Sequence, residues 1–239
     1  VVLKKNLLLS NIPAGERRRV ERFLEPVSVE LREVLQEDDK PITHVYFPLD
    51  FLGSTVIEMQ DGGTVEIGVT GNEGLVGIQL FLMEETTATT TFAQIPGEGL
   101  RMKAGDFKKH VIDQGGPLHD LLHRYTHAYL SQVSQTAACN RLHPLDQRLC
   151  RWVLMTHNRV QRDEFPITQE FIGQMLGVAR PTVSTTAKML MQAGLIGYSR
   201  GRMKVFDRKG LEDGSCECYR IIVGQFDRVY GETWAPHQE

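Results

Sequence analysis

Nowhere in the 239 residues does an apolar run approach the roughly 20 residues that span a bilayer. At the start, Lys4 and Lys5 precede only Leu7, Leu8 and Leu9, too short a run for the apolar region of a secretory signal. The chain opens on Val1 rather than Met, as expected of a processed or trimmed start. Cysteine is scarce. Four residues (Cys139, Cys150, Cys216, Cys218) cannot form the disulfide framework of a chain this long, so a reducing cytoplasm is the natural expectation. Cys216-x-Cys218 has no second pair at zinc-finger spacing, and the sequence assigns no metal site and no cofactor. Histidine is nearly missing from the first hundred residues, where His44 stands alone. A metal enzyme built on β-strands would need two or three histidines and a carboxylate there. Neither a Gly-rich phosphate loop of the Walker type nor a G-x-S-x-G elbow occurs, so nothing points to an enzyme. What remains, at 41% hydrophobic and 24% charged residues, is an ordinary globular composition long enough for two modest domains.

The charge is unevenly distributed. Residues 1–140 carry 13 Lys and Arg against 19 Asp and Glu. Residues 141–209 carry 12 against 5, and residues 210–239 carry 2 against 6. A basic segment embedded in an acidic chain of net charge −3 is expected when one domain faces phosphates and another does not.

Residues 1–25 read as one or two short helices. From Val27 to Met102 the pattern is of strands: Thr43–Phe47 and Ser54–Met59 are rich in β-branched and aromatic residues. Thr64–Val69 alternates, with Val65, Ile67 and Val69 on one face and Thr64, Glu66 and Gly68 on the other. Thr86–Ile95 reads as another strand. Asp61-Gly62-Gly63, Gly71-Asn72-Glu73-Gly74 and Pro96–Gly99 are turns. Many short strands with frequent turns predict a sandwich, jelly roll or barrel. Beyond Gly115-Gly116-Pro117, the residues Leu118, Leu122, Tyr125, Tyr129 and Val133 recur at spacings of four and three. This is a long helix with a narrow seam, and a dimer interface is its expected use. Pro144–Asn158 predicts a further helix, buried through Leu145, Leu149, Trp152 and Val153.

Residues 167–196 carry the functional argument. Thr168 is placed to cap a helix beginning near Gln169, with Phe171, Ile172 and Met175 turned inward and Gly177 ending it. Pro181 suits the first position of a second helix, which packs through Val183, Ala187 and Leu190. Its other face shows Pro181, Thr185, Lys188 and Gln192. Two short helices, a Gly turn and a polar outer face make a helix-turn-helix, whose second helix would enter the major groove. Gly197–Phe206 follows as a hairpin turning at Gly201, and Arg200, Arg202 and Lys204 are placed to meet phosphates.

This stretch, with its Gly-Val-Ala-Arg-Pro-Thr-Val-Ser and Ser-Arg-Gly-Arg runs, resembles the Crp/Fnr superfamily of bacterial transcription regulators. The β-rich first half, the turn Gly71–Gly77 and the long helix agree with it in order and spacing. The resemblance implies an α+β architecture: a jelly-roll sensor domain (1–116), a central dimerisation helix (117–142), a winged helix-turn-helix domain (143–213) and a helical extension (214–239). It also implies a homodimer bound to near-palindromic double-stranded DNA, with RNA polymerase as a partner and no membrane partner. Arg180 matches the arginine that meets guanine, and Thr182 lies near the backbone. Pro181 and Thr185 replace the family's acidic and second basic positions, so a different half-site is expected. Thr168, Gln169, Ser184, Thr185, Lys188, Arg200 and Arg202 complete the expected DNA-contacting set. Because Pro181 disfavours a helical conformation before it, Arg180 is expected at the cap.

The sensor half departs further. The resemblance places an effector pocket at Gly74, Leu75, Val76 and Gly77 with Thr87 and Thr89. The acidic position for a ribose falls on Ile78, and the arginine position for a cyclic phosphate falls near Ala88. No arginine occurs between Arg32 and Arg101, so the cyclic-nucleotide chemistry is missing. With no cysteine before Cys139, the ligands of an iron–sulfur sensor are missing too. An unidentified small effector is the first expectation. The alternatives are a regulator needing none, or a metal-, pH- or haem-responsive one using His44 or the row His119, His123 and His127. Tyr219, Ile222, Val223, Phe226 and Tyr230 predict a last helix packed on its own DNA-binding domain.

Overall fold

The computed structural model describes residues 5–231 and Trp234. Val1–Lys4 and the remainder of the C-terminal tail lie outside the described residues. Helices α1 (Leu7–Ser10) and α2 (Ala14–Glu21) lead into seven strands. These are β1 (Glu25–Val29), β2 (Val34–Gln36), β3 (His44–Pro48), β4 (Leu52–Glu58), β5 (Thr64–Thr70), β6 (Thr90–Ile95) and β7 (Gly97–Lys103), with α3 (Ile78–Phe81) between β5 and β6. One sheet has the order β1-β7-β3 and the other β2-β6-β4-β5, with every pairing antiparallel. Alternation sets the faces. Val45 and Phe47 on β3 are fully buried between the sheets, while His44 and Tyr46 are only half-buried. The threonine-rich strand is shorter than its composition predicts. Residues 84–89 turn through Met83 at φ 69°, and β6 starts at Thr90.

After α4 (Ala104–Phe107) and one π-type turn, α5 (Pro117–Leu142) runs for 26 residues, nine beyond the expected seam. It is followed by α6 (Leu145–Val160), β8 (Glu164–Pro166), α7 (Gln169–Leu176), α8 (Arg180–Gln192), β9 (Ile196–Ser199), β10 (Arg202–Val205), α9 (Arg208–Asp213) and α10 (Cys218–Tyr230). Strands β8, β10 and β9 form a three-stranded antiparallel wing. Among the described residues no helix is long and apolar enough to cross a membrane.

The outer face of β4 and β5 lies beneath α5, α6 and α7, which explains why Leu52–Val56 are buried on both faces. Sequence alternation identifies the two faces of β5 but does not say which one is covered. The polar face is the covered one: Glu66 is 6% exposed, and a Cβ at Gly68 would lie 2.9 Å from the Tyr129 hydroxyl.

Candidate nucleic-acid interface and its coupling to the sensor

The helix-turn-helix is built by local chemistry. The Thr168 hydroxyl accepts from Phe171 N at 3.1 Å, capping α7. Gly177 closes it at φ 63°, a conformation cheap for glycine. The turn is tight enough that a Cβ at Gly173 would stand 2.8 Å from the Val178 carbonyl. Helix α8 then buries Val183, Thr186, Ala187 and Leu190. Arg180, Thr182, Ser184, Thr185 and Lys188 are all exposed, as is Thr168, with Gln169 half-exposed. The cap of α8 is Ala179 rather than Arg180, because the chain turns helical one residue earlier than the proline rule suggests. Arg180 occupies the first helical position and Pro181 the second, where its missing N–H leaves no bond unmade. In this state the Thr185 hydroxyl donates to the Pro181 carbonyl at 3.1 Å.

The wing hairpin turns through Arg200 at φ 50° and Gly201 at φ 73°. Positive φ at both central residues suits the right-handed twist of the flanking strands. The Tyr198 hydroxyl donates to the Ile167 carbonyl at 2.9 Å, and Ile167 N donates to the Gly201 carbonyl at 2.8 Å. These bonds join the wing to the segment entering α7. Arg200 and Arg202 are exposed. Arg202 Nε donates to Glu164 on β8, and this bond, followed by the charge of Arg202, holds the Glu164 carboxyl below its ordinary range.

The sensor turn Gly71–Gly77 is occupied by side chains of the same chain. A Cβ at Gly74 would lie 2.2 Å from the Tyr125 hydroxyl. Glu73, fully buried, accepts from Arg159 Nε at 2.8 Å and from Gly71 N at 3.0 Å. Arg159 also donates to the Met155 carbonyl at 2.9 Å and to Gln132 Oε1 at 2.6 Å. Its guanidinium lies 5.0 Å from the Trp234 ring and 5.6 Å from that of Phe226. Leu75 and Val76 are buried, and Gly77 takes φ 101°. Thr87 accepts from Gln79 at 3.2 Å and contacts Thr89 at 2.9 Å. Thus α3 connects the two parts of the expected pocket. Arg159 was missed because a lone arginine near a helix end carries no sequence signal of a distant carboxylate.

A second polar contact joins the same two bodies. Glu66 accepts from Ser54 Oγ at 2.6 Å and from Trp152 Nε1 of α6 at 3.0 Å. Burial raises its carboxyl from the ordinary 4.5 to about 7, against those two hydrogen bonds and the charges of Arg151 and Arg159. Beside it, the Phe171 ring of α7 meets Phe92 of β6 edge-on at 5.9 Å. The helix-turn-helix is therefore docked on the sensor.

Several expectations are corrected. Leu118, Leu122, Tyr125 and Tyr129 are buried within their own chain, and Val133 is half-buried, so the seam faces the jelly roll and not a partner. Helix α10 packs chiefly on α5 instead of on its own DNA-binding domain, with Phe226 6.3 Å from Tyr125. Its Tyr230 hydroxyl donates to the Glu73 carbonyl. His44 sits on the outward face of β3, paired in register with Lys103, away from the interior a haem would need. His119 and His123 stack edge-on at 4.7 Å against Phe81, while His123 and His127 are exposed.

The profile of the Crp-like helix-turn-helix domain matches residues 147–213. Residues 147–213 therefore carry a Crp-like helix-turn-helix domain, and the whole chain has the fold of solved Crp/Fnr-family regulators. It has the fold of FixK2 from Bradyrhizobium japonicum (TM-score 0.68, 15% identity, 81% of this chain and 98% of that one). It is similar also to TTHB099, a CRP-family transcriptional regulator from Thermus thermophilus (0.64, 16%, 80% and 96%). A third solved structure with this fold is the c-di-GMP responsive global regulator CLP from Xanthomonas campestris (0.62, 14%, 81% and 99%). No curated protein sequence matches the chain.

Proposed function

We propose that this chain is a Crp/Fnr-type transcription regulator that binds a near-palindromic duplex as a homodimer, each α8 reading one half-site and each wing holding phosphates. The exposed face of α8 carries the reading: Arg180, Thr182, Ser184, Thr185 and Lys188 share it while Val183, Ala187 and Leu190 anchor the opposite side. Arg180, at the first turn, suits bidentate contact with guanine O6 and N7. Thr185 offers a methyl group to thymine once its hydroxyl leaves the Pro181 carbonyl. Thr168 and Gln169 at the start of α7, with Arg200 and Arg202 of the wing, supply backbone contacts.

Dimerisation uses the outer stripe of α5. His123, His127, Leu130, Ser134, Ala137 and Arg141 are exposed and recur at spacings of four and three. Leu130, 54% exposed, is the apolar centre of this stripe, and Ser134 and Ala137 allow a second helix close approach. Residues 1–116 act as the sensor and 143–213 as the reader, with the extension 214–239 packed back on the central helix. RNA polymerase is the partner through which binding becomes activation, and the cytoplasm is the compartment.

The effector is a small molecule other than a cyclic nucleotide. Tyr125 covers Gly74, Arg159 neutralises Glu73, and Ala88 stands where a phosphate-binding arginine is needed. Gating acts on the docking of the helix-turn-helix over β4 and β5, since an effector that favours the undocked state shifts the population that can reach DNA. The test is fluorescence anisotropy with a duplex carrying a site that the purified chain selects from random duplexes, with and without small-molecule extract. The extract should tighten binding, and Arg180→Ala should weaken it in both conditions. Affinity unaltered by the extract would favour a regulator that needs no effector.

A further inference from the structure

The four side chains Cys139, His143, Cys216 and Cys218 have their ligand atoms within 4.8 Å of one another. Cys139 and His143 lie one turn apart at the C-terminal end of α5, and Cys216 and Cys218 lie at the entry to α10. Cys139 Sγ and Cys216 Sγ are 3.5 Å apart, as are Cys218 Sγ and His143 Nδ1. We propose that these residues form a tetrahedral Cys3His zinc site that clasps the end of the central helix to the start of α10.

The distances suit one metal ion. Zinc–sulfur bonds of about 2.3 Å place tetrahedral ligands about 3.8 Å apart. A disulfide needs sulfurs at about 2.05 Å and would leave a thiol and an imidazole converging on the same point unused. An iron–sulfur cluster binds its ligands through different iron atoms and holds them further apart. Three thiolates and one imidazole on a closed site select zinc among common divalent ions.

The surroundings are those of a metal site. His143 presents Nδ1 to the sulfurs while its Nε2 lies 3.3 Å from Glu217 Oε2, the carboxylate contact that orients a ligating histidine. Gln135 Nε2 donates to Cys218 Sγ at 3.2 Å. All three cysteines are buried. Three thiolates and a divalent ion leave one net negative charge, and the Arg148 and Arg151 guanidiniums act on Cys139 from α6. Cys139 and Cys216 are 77 positions apart, so the clasp closes a loop containing the whole helix-turn-helix domain. Sequence spacing hid the site, because its two halves meet only after α10 folds back along α5.

The test uses the full chain, purified with a histidine-free tag that is then removed, and dialysed against metal-free buffer. Mass spectrometry for metals should find about one zinc per chain. Cobalt substitution should give the thiolate charge-transfer band and strong visible bands of a tetrahedral site. Cys216→Ser and Cys218→Ser should each lower zinc content roughly tenfold, while Cys218→His and Cys150→Ser retain it. Chelation should lower Tm by about 5 °C or more, reversed by zinc. If the serine variants do not fold, the zinc content of the unaltered chain decides. The proposal is overturned by protein that takes up no zinc on loading and titrates all its thiols, by iron with acid-labile sulfide, or by a metal-free Cys139–Cys216 disulfide in protein prepared without oxygen. None of these readouts involves DNA, so they stand apart from the test of DNA binding.

Discussion

Arg159 and Glu66 show how single side chains join reader to sensor. Arg159 is one arginine among 27 basic residues, yet it is fully buried on Glu73 of the sensor turn. Arg159→Ala removes one member of a desolvated pair and leaves Glu73 uncompensated. Such a change costs about 3–5 kcal/mol, to be read in urea unfolding as a lower midpoint. Glu66 gives a pH signature. Its folded carboxyl takes up a proton near pH 7, whereas the unfolded one does so near 4.5. Between those values the folded chain holds the extra proton. Stability therefore falls as pH rises through the window, and the cost of the buried charge is fully present above about pH 7. At about 1.4 kcal/mol per tenfold change in proton affinity, the effect is on the order of 3 kcal/mol. Glu66→Gln should raise Tm at pH 8 and flatten the profile between pH 5 and 7. A profile unchanged by the substitution would place the proton elsewhere.

At the scale of elements, legibility in the sequence followed the range of the forces. Helices α7 and α8 and the wing were readable because their signals are local: Thr168 caps, Gly177 and Gly201 take positive φ, and Val183, Ala187 and Leu190 mark a buried face. Strands β3 and β4 were readable from their β-branched and aromatic residues and β5 from its alternation, but not which face of β5 is covered, since that depends on helices that come much later in the chain. The partner of α5 was misread for the same reason. A seam at spacings of four and three says only that something apolar covers it, and here that is the jelly roll and α10. The wing supports two expectations. Arg200→Ala with Arg202→Ala should lower the slope of log affinity against log salt by about 2, nearly equally for specific and random duplexes. Glu164→Gln frees Arg202 from its ion pair and should strengthen binding to any duplex a few-fold at low salt. A change confined to the specific duplex would contradict the assignment of the wing to phosphates.

For the whole molecule, the arrangement is a reader folded back on its sensor. Trp152 and Phe171 carry the docking, and the outer stripe of α5 is exposed, the surface proposed for a second copy. Leu130→Glu places a charge at the centre of that stripe. In sedimentation it should convert a dimer to a monomer while far-ultraviolet circular dichroism is unchanged, because Leu130 is more than half exposed and lies outside the core of its own chain. A monomer in the unaltered protein, or a dimer that survives the substitution, would move the interface elsewhere. Neither the docking nor the metal-ligand cluster was visible before folding, since both depend on α6 and α10 crossing from one body to another.

Helix α8 is proposed to read DNA sequence. The most direct test is selection of random duplexes by the purified chain at fixed salt, repeated with Arg180→Ala. The predicted result is a near-palindrome whose half-sites lie about one helical turn apart, with preference at one base pair of each half-site relaxed by the substitution. Loss of that preference should cost about 1–3 kcal/mol. No enrichment with or without small-molecule extract, or a selected site read equally well by Arg180→Ala, would contradict it.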